Sequence, residues 1–327
     1  MPFWHSGDST VKNAAGDLMA SKSKTQIWIE YAFARGIFGL LEVLPRRLAV
    51  YLGLSVARLG FYVLPHLRRV AQRNLEIVFP EMDAAEKTKL IKRSFESLGR
   101  MLGEASQFGK ISRDRIAEII EFRFDPEEEA RYKAIRSQGR GAIILSPHMG
   151  NWELLVFAYS ALREPVSYLA RPIDNPMVED LTVRVRTRFG NRPINKTNSV
   201  SEALGILRSG GTLGILADVN AHPREGVFVP FFGIPACTST GVAMLAKRAN
   251  AIIVPLCCVW DSAKKQYRVL NGRIIEPGET GDRQRDILET TAAFTAEIEQ
   301  FVRAYPDQWL WIHKRWKTRP PGEKGLY

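Results

Sequence analysis

The sequence predicts an α/β protein with a mostly parallel sheet flanked by helices, preceded by a helical segment near the N-terminus. Two observations lead to this prediction. From residue 142 onward, short apolar runs of about four to eight residues alternate with longer stretches of helical periodicity. Before them, residues 27–64 are almost continuously apolar. The chain of 327 residues is long enough to bury a large core.

The N-terminal region divides into a tail and an anchor. Residues 1–25 are polar and lack the apolar core of a secretory signal, so they are expected to form a loose tail. Residues 26–80 are expected to form a membrane-anchoring helical segment, and residues 81–327 the main domain.

Charged residues interrupt the anchoring segment, which argues against a simple membrane-spanning helix. The interruptions are Glu30, Arg35, Glu42 and Arg58. A helix lying in the membrane surface, or a short tilted anchor, agrees better with this pattern. The basic residues that follow suit anionic head groups on the cytoplasmic face; they are Arg68, Arg69 and Arg73. Two ordinary core helices remain the alternative.

Composition limits the partners. Lysine and arginine total 46 against 35 acidic residues, a net charge of +11, which predicts attraction to nucleic acid, anionic lipid or an acidic carrier protein. Cys237 and the adjacent pair Cys257 and Cys258 have no metal-ligand spacing. They are expected to be buried thiols of a reducing compartment, with no zinc site and no disulfide.

The main domain opens with an amphipathic helix that starts at the D-x-x-E pattern of Asp83 and Glu86. Periodicity then predicts alternating strands and helices. The predicted strands are 142–145, 166–170, 213–216, 252–259 and 267–275. The predicted helices are 151–162, 177–189, 199–209, 238–250 and 282–304.

A histidine follows the first of these strands, where sites form in parallel α/β sheets. His148 and Glu153 are five residues apart, so they meet only if His148 lies in the loop and Glu153 in the first turn of the helix. Gly150 and Asn151 supply the bend and the cap. A carboxylate on one ring nitrogen leaves the other nitrogen free to accept a hydroxyl proton. A capping or core histidine is the structural alternative.

The surrounding motifs exclude two other chemistries. The stretch has neither the G-x-S-x-G spacing of a covalent hydrolase nor the H-E-x-x-H spacing of a metalloprotease. No metal and no cofactor are therefore expected.

The run HMGNWE at residues 148–153 resembles the H-x4-D/E signature of glycerolipid and lysophospholipid acyltransferases, in the variant typical of bacterial lipid A secondary acyltransferases. Further blocks carry the same resemblance from about residue 24 onward. They are RVAQRNLEIVFP at 69–80, RPIDNP at 171–176, Asp218 with REGVFVPFFG at 224–233, Val254 with Pro255, and DQWLWIHKRWKTRP at 307–320.

The resemblance implies an enzyme, an O-acyltransferase of lipopolysaccharide biosynthesis with residues 81–327 as its acyltransferase domain. It implies transfer of a fatty acyl chain from acyl-carrier protein to a hydroxyl of a lipid A precursor. It also implies a place on the inner membrane, with the active site facing the cytoplasm and no nucleic-acid partner.

Two alternatives stay open. Relatives with the same HMGNWE form acylate other glycolipids, such as phosphatidylinositol mannosides with acyl-CoA donors. A non-catalytic protein that binds membranes or nucleic acid through its basic surface is the second alternative.

The resemblance also implies site residues. His148 is the general base and Glu153 orients it. Arg171 suits a phosphate of the acceptor. The other substrate-binding candidates mix a polar mouth with aromatic side chains for an acyl chain; they are Asn175, Asp218, Arg224, Glu225, Gly226, Phe228 and Phe232.

Three further patterns receive structural interpretations. The arginines of residues 177–189 spread around a helix, which predicts a solvated or lipid-facing surface. The WLWI stretch at 309–312 alternates as an ordinary strand does, which is preferred to a stacking platform for nucleic acid. His222 and His313 have no spaced partner and are predicted to be non-catalytic.

Overall fold

The computed structural model describes residues 23–169, 173–194 and 199–327. Its helices are α1 (Lys24–Val43), α2 (Arg46–Val63), α3 (Pro65–Val78), α4 (Ala84–Ala105), α5 (Arg113–Ile119), α6 (Pro126–Arg136), α7 (Trp152–Leu162), α8 (Pro176–Arg186), α9 (Ser199–Arg208), α10 (Gly241–Ala249) and α11 (Arg283–Ala304). Its strands are β1 (Ile120–Arg123), β2 (Ala142–Ser146), β3 (Ser167–Leu169), β4 (Arg192–Ile194), β5 (Thr212–Leu216), β6 (Gly226–Phe231), β7 (Ile234–Ser239), β8 (Ile252–Asp261) and β9 (Gln266–Asn271).

Seven strands form one mostly parallel sheet, as the sequence predicts. Their order is β1-β9-β8-β2-β5-β3-β4, and every neighbouring pair is parallel except β8 with β9. Strands β6 and β7 form a separate antiparallel hairpin, which the sequence analysis did not predict. The central strands β2, β5 and β8 end at the same edge, so the loops after them meet there.

Helices bury both faces of the sheet. In β2, Ile143 and Leu145 belong to one core cluster while Ala142 and Ile144 belong to the other, because successive strand residues point to opposite faces. Helices α9, α10 and α11 contribute to the first cluster, and α5, α6 and α7 to the second. Burial on both faces explains why the first four residues of β2 are all apolar.

The N-terminal helices pack mainly through α2 against α4. Gly53 and Gly99 bring the two backbones together, because a Cβ on Gly53 would lie 2.2 Å from the carbonyl oxygen of Gly99. Arg46 clamps the buried carboxylate of Glu104 with two hydrogen bonds of 2.6 and 2.7 Å. Helix α1 contributes no buried residue. The predicted helical character of this region is confirmed.

Among the described helices, none is long and apolar enough to span a bilayer by itself. Helices α2 and α3 meet the requirement together on length and composition, although the chain bends by 84° at the break between them.

Candidate active site

The loop after β2 is held in a sharp bend by two backbone hydrogen bonds and one side-chain cap. Gly150 has φ +57° and donates its N–H to the carbonyl of Gln308 at 2.8 Å. Asn151 donates its N–H to the carbonyl of Cys258 at 2.8 Å. The side chain of Asn151 then caps α7 by accepting from the N–H of Leu154. The predicted bend and cap are confirmed, with His148 in the loop and Glu153 in the first turn of α7.

Asp218 is the carboxylate partner of His148. Its Oδ1 lies 2.7 Å from Nδ1 of the imidazole, and its Oδ2 accepts from the backbone N–H of His148 at 2.8 Å. The indole N–H of Trp309 donates to the same Oδ2 at 2.8 Å. Because an ionised carboxylate only accepts hydrogen bonds, His148 carries its proton on Nδ1. Nε2 is thereby left as the basic nitrogen.

The sheet register explains this pairing. Ser146 at the end of β2 pairs with Leu216 at the end of β5, so His148 and Asp218 each stand two residues beyond paired positions. Parallel neighbours project their next residues from the same edge, which brings the two side chains together across 70 residues of sequence.

Charge coupling stabilises the ionised forms of both groups. Burial opposes protonation of His148, but Asp218, with a smaller contribution from Glu153, raises the pKa of His148 above its ordinary value. Burial likewise opposes ionisation of Asp218, yet His148 and the Trp309 N–H hold the pKa of Asp218 well below its usual range. The pair therefore combines a fixed carboxylate with a more basic imidazole.

The predicted hydrogen bond between Glu153 and His148 is wrong, since Asp218 occupies the ring nitrogen. Both oxygens of Glu153 accept instead from the guanidinium of Arg186 on α8, at 2.6 and 2.9 Å. Glu153 projects from the first turn of α7 while His148 remains in the loop, and Arg186, the last residue of α8, reaches Glu153 there. The prediction of a solvated or lipid-facing arginine surface on α8 is also wrong for Arg186, which is paired with Glu153.

The C-terminal segment from Trp309 onward bonds the His148 loop and does not form a strand. Trp309 makes a single antiparallel bridge to Met149, and the N–H of Leu310 donates to the carbonyl of His148 at 3.0 Å. Trp311 then turns back to bond the carbonyl of Trp309. The predicted strand is therefore wrong, because the segment's backbone groups bond the His148 loop and its own turns. The three tryptophans are buried there, namely Trp309, Trp311 and Trp316.

Arg315 fixes the loop that carries Asp218. Its buried guanidinium donates to the carbonyls of Val219 and Cys237 and to Oγ1 of Thr238. Burial lowers the pKa of Arg315 to about 10, while the Asp218 carboxylate opposes that decrease. Arg315 therefore places a positive charge near the Asp218 carboxylate. Its hydrogen bonds also connect the loop after β5 to β7.

An apolar cavity of about 440 Å³ opens beside His148. Trp152, Glu153 and Arg186 line it together with His148. The remaining lining is largely apolar and comes from β2, α7, β3, β5 and the segment after α4; it includes Phe108, Ile144, Leu155, Phe157, Tyr168, Leu169, Ile215 and Leu216. A second cavity of about 210 Å³ lies between α1, α4 and α8 and shares Phe108, Glu153 and Arg186 with the first. The Glu153–Arg186 ion pair thus borders both cavities.

Asp218, predicted to bind substrate, instead bonds His148. Among the predicted substrate-binding residues that the structure describes, none lines this cavity. Arg171 lies outside the described residues. Asn175 caps α8 and donates to the carbonyl of Ile27 and to Glu30, which ties α8 to α1.

The segment 224–233 forms the β6–β7 hairpin and its approach. Arg224 and Glu225 are exposed, whereas Gly226 packs closely against Thr238. Phe228 is half-buried on β6, and Phe232 is buried in the core beside Phe79. Among the described residues lining the His148 cavity, none comes from this segment. Their substrate-binding role stays a prediction.

Sequence reasoning missed the positions of Arg186, Trp309 and Arg315 in this site. The resemblance blocks included Trp309 and Arg315, but the pattern of alternation was interpreted as a strand. Arg186 had a weaker signal, because nothing in one sequence distinguishes it from Arg184 two residues earlier.

Together, the parallel sheet, the buried aspartate on Nδ1 of His148 and the apolar cavity beside His148 form the arrangement expected of an α/β enzyme that uses a histidine base next to a hydrocarbon site. Comparison with known proteins identifies the family to which this enzyme belongs. Residues 19–318 match the family model described as bacterial lipid A biosynthesis acyltransferase. The chain belongs to this family and is an acyltransferase.

Individual relatives agree with this assignment. The lipid A biosynthesis lauroyltransferase of Escherichia coli is 29% identical over 296 residues, covering 89% of this chain and 92% of the relative. The palmitoleoyltransferase of the same organism is 29% identical over 304 residues, covering 92% and 94%. The myristoyltransferase is 25% identical over 272 residues, covering 83% and 80%.

One solved structure also matches the chain. The 1-acyl-sn-glycerophosphate acyltransferase PlsC of Thermotoga maritima superposes with a TM-score of 0.36 at 13% identity, over 76% of this chain and 96% of that one. A superposition this loose identifies no site residue here.

Replacing Asp218 by asparagine should reduce the acyl-transfer rate by about 10² to 10⁴, because His148 loses the carboxylate that fixes its tautomer. The base acts only when deprotonated, so activity is lost as the pH falls through the pKa of His148. Asp218 raises that pKa, so the acid limb of the pH–rate profile should move to lower pH in Asp218→Asn.

The matched variant is Glu153→Gln, which removes the smaller electrostatic contribution to His148. Its acid limb should shift less than that of Asp218→Asn. An unchanged acid limb in Asp218→Asn would contradict the proposed coupling.

Replacing Gly150 by alanine should destabilise the protein strongly. The new Cβ would lie 1.9 Å from the carbonyl oxygen of Cys258, which already accepts from Asn151. Gly139→Ala is the control, since Gly139 has φ +76° but open space around its Cβ position. We expect a loss of about 1–2 kcal/mol for Gly139→Ala and clearly more for Gly150→Ala in denaturant unfolding. Equal losses would show that backbone conformation alone, without the clash, accounts for the effect.

Proposed function

We propose that the protein transfers a fatty acyl chain from an acyl thioester, carried by acyl-carrier protein, to a hydroxyl of a lipid A precursor. One observation carries the proposal. His148, whose Nδ1 is bonded to Asp218 so that Nε2 is left as the basic nitrogen, lines an apolar cavity, so a general base and a hydrocarbon site adjoin. The family assignment supports both the lipid acceptor and the acyl donor.

The chemistry follows from the orientation of the imidazole. The acceptor hydroxyl oxygen attacks the thioester carbonyl carbon while its proton moves to Nε2 of His148. The resulting imidazolium is stabilised by Asp218. Collapse of the tetrahedral intermediate breaks the carbon–sulfur bond, and the departing thiolate takes the proton from His148.

Arg186 supplies a positive group beside the same cavity, and Glu153 orients it. Glu153 uses Nε and one terminal nitrogen of Arg186, so the guanidinium plane is fixed. We assign the remaining N–H groups of Arg186 to negative charge developing on the carbonyl oxygen or carried by the acceptor. Glu153 then acts through Arg186 as a positioning residue.

The N-terminal helices suit attachment to the cytoplasmic face of the inner membrane. Helix α1 has no buried residue, and both α1 and α2 expose large apolar side chains to a degree that is unusual for a surface in water. They include Trp28, Ile29, Phe33, Leu40, Val43, Leu48, Tyr51, Val56, Leu59 and Tyr62. A surface of this kind agrees with helices lying in the membrane interface.

Acyl transfer can be tested directly in membranes that contain the protein. The wild type is incubated with acyl-carrier-protein and coenzyme A thioesters and with Kdo2-lipid IVA or other glycolipids, and products are identified by mass spectrometry. We expect an added acyl mass on the lipid A precursor from the carrier-protein donor. His148→Ala should abolish it, whereas the exposed His222→Ala should retain it.

Each departure from this result has a definite meaning. Acylation of another glycolipid alone would keep the mechanism and overturn the acceptor. A preference for coenzyme A thioesters would overturn the donor. Full activity in His148→Ala would overturn the catalytic assignment.

Membrane attachment makes a separate prediction. Trp28→Ser combined with Phe33→Ser should reduce binding to phosphatidylglycerol-containing vesicles by about a hundredfold, since each buried aromatic contributes on the order of tenfold or more. Leu288→Ser, at an exposed apolar position on α11, is the control. Vesicle co-sedimentation measures the effect, and equal binding of all three proteins would exclude α1 as the attachment surface.

A further inference from the structure

A separate cavity of about 420 Å³ lies at the N-terminal end of α2, where cationic side chains from three elements converge. Its lining comprises Arg46, Arg47, Val50, Arg100, Glu104, Trp260 and Lys265. The residues lining this cavity differ entirely from those lining the His148 cavity.

The charges in this cavity are unbalanced. Glu104 is its one acidic lining residue, and Arg46 already occupies both oxygens of that carboxylate. Within the described part of the chain, Arg47, Arg100 and Lys265 form no ion pair with a carboxylate. Three cations therefore face one concave space without compensation, which favours an anionic ligand.

The cavity has a rigid aromatic wall. The guanidinium of Arg100 lies 4.0 Å from the ring centroid of Trp260, which itself packs edge-on against Tyr267 at 5.0 Å. The side chain of Gln308 bonds both the N–H and the carbonyl of Trp260. Arg100 is therefore oriented before any ligand arrives.

Lys265 occupies a backbone position that is unfavourable for a lysine. Its φ is +52°, in the left-handed region where glycine or asparagine is the usual residue. The turn between β8 and β9 would be easier to form with either of them. A lysine kept at this strained position is consistent with a functional role for its ammonium group in the cavity.

The cavity lies between the active-site loop and the apolar surface. Trp260 stands two residues, about 7 Å of extended strand, beyond Cys258, whose carbonyl accepts from Asn151. On the other side, Arg47 is exposed next to the exposed apolar residues Val43 and Leu48. A polar head group bound at the membrane interface would reach this cavity while part of it remains near His148.

We propose that this cavity binds a phosphate group on the head group of the lipid acceptor. The inference rests on the proposed function only in taking the acceptor to be a phosphorylated glycolipid. A compact phosphate dianion accepts hydrogen bonds from several cations at once inside a concave site. Carboxylates spread over the surface of a carrier protein would match a convex surface instead. The cavity contacts a part of the acceptor that does not react, and we take this contact to be equally strong in the ground and transition states, so it contributes to acceptor affinity and not to the chemical step.

Two variants that should fold normally test the proposal. Lys265→Asn removes the charge at a position where asparagine fits the backbone, and Arg47→Ala removes a cation from the first turn of a helix, where a cation is unfavourable. Lys89→Ala, an exposed lysine on α4 outside the cavity, is the matched control. Acyl-transfer kinetics are measured with the phosphorylated lipid A precursor and with the same lipid after phosphatase treatment.

We expect each cavity variant to raise the KM for the phosphorylated acceptor about tenfold, with kcat, the donor KM and the melting temperature unchanged. The variants should not differ from wild type with the dephosphorylated lipid. Inorganic phosphate should compete with the phosphorylated acceptor in the wild type and much less in the variants.

Three kinetic results would overturn the proposal. An increase in the donor KM instead of the acceptor KM would identify a carrier-protein surface. Equal effects of the cavity variants with both acceptors, or an equal effect of Lys89→Ala, would also overturn it. Weakened binding to phosphatidylglycerol vesicles without a change in acceptor KM would likewise overturn it in favour of a bulk-lipid site.

Direct binding keeps this test independent of acyl transfer. Affinity for the two lipids in detergent micelles is measured by microscale thermophoresis on the His148→Ala protein, with and without Lys265→Asn. A tenfold loss restricted to the phosphorylated lipid supports the cavity even if the wild type acylates a different acceptor. No loss overturns it even if lipid A acylation is demonstrated.

Discussion

The buried carboxylate of Asp218 is the interaction on which the site depends. It is 1% exposed and accepts three hydrogen bonds, two from His148 and one from Trp309. An isolated buried charge would cost several kcal/mol, so the three donors and the guanidinium of Arg315 nearby are what make this position tolerable. The donors come from the loop after β2 and from the C-terminal segment, while Asp218 itself follows β5. The base is therefore oriented only when three distant parts of the chain have assembled, which couples catalytic geometry to the folding of the whole domain.

The sequence predicted the fold class and the histidine in the loop after β2, but not the partner of that histidine. Apolar runs over β2, β5 and β8 predict strands because burial on both sheet faces leaves no room for polar residues, and the punctuation of Gly150 and Asn151 predicts the bend before α7. Asp218 was singled out, yet as a substrate-binding residue. Its place beside His148 depends on β5 lying next to β2, and strand order is a tertiary property that local periodicity does not encode.

Two other misjudged segments have the same cause. The hairpin β6–β7 contains Pro230, Pro235 and Gly233, which interrupt the alternation expected of strands, although an isolated hairpin tolerates them. The segment from Trp309 onward is the reverse case, because its sequence alternates as a strand does but it forms no strand. Its backbone groups bond the His148 loop and its own turns instead. In both segments the partner available in space, and not the local pattern, decides the backbone conformation.

The two carboxylates near the imidazole consequently have different roles. Asp218 is fully buried and bonded to the ring, so its charge acts on the proton affinity of His148. Glu153 lies at the boundary between the apolar cavity and the space beside α1, where it holds Arg186. A charge pair at the border of two apolar cavities is costly unless polar groups of a substrate pass there. In the proposed reaction the thioester carbonyl and the acceptor hydroxyl are such groups, and the hydrocarbon of the acyl chain occupies the apolar part of the cavity. In the proposed reaction the ion pair marks the level at which the polar, reacting end of the acyl chain stops, and the apolar lining of the cavity, including Phe157 and Leu155, limits how much chain fits beyond it.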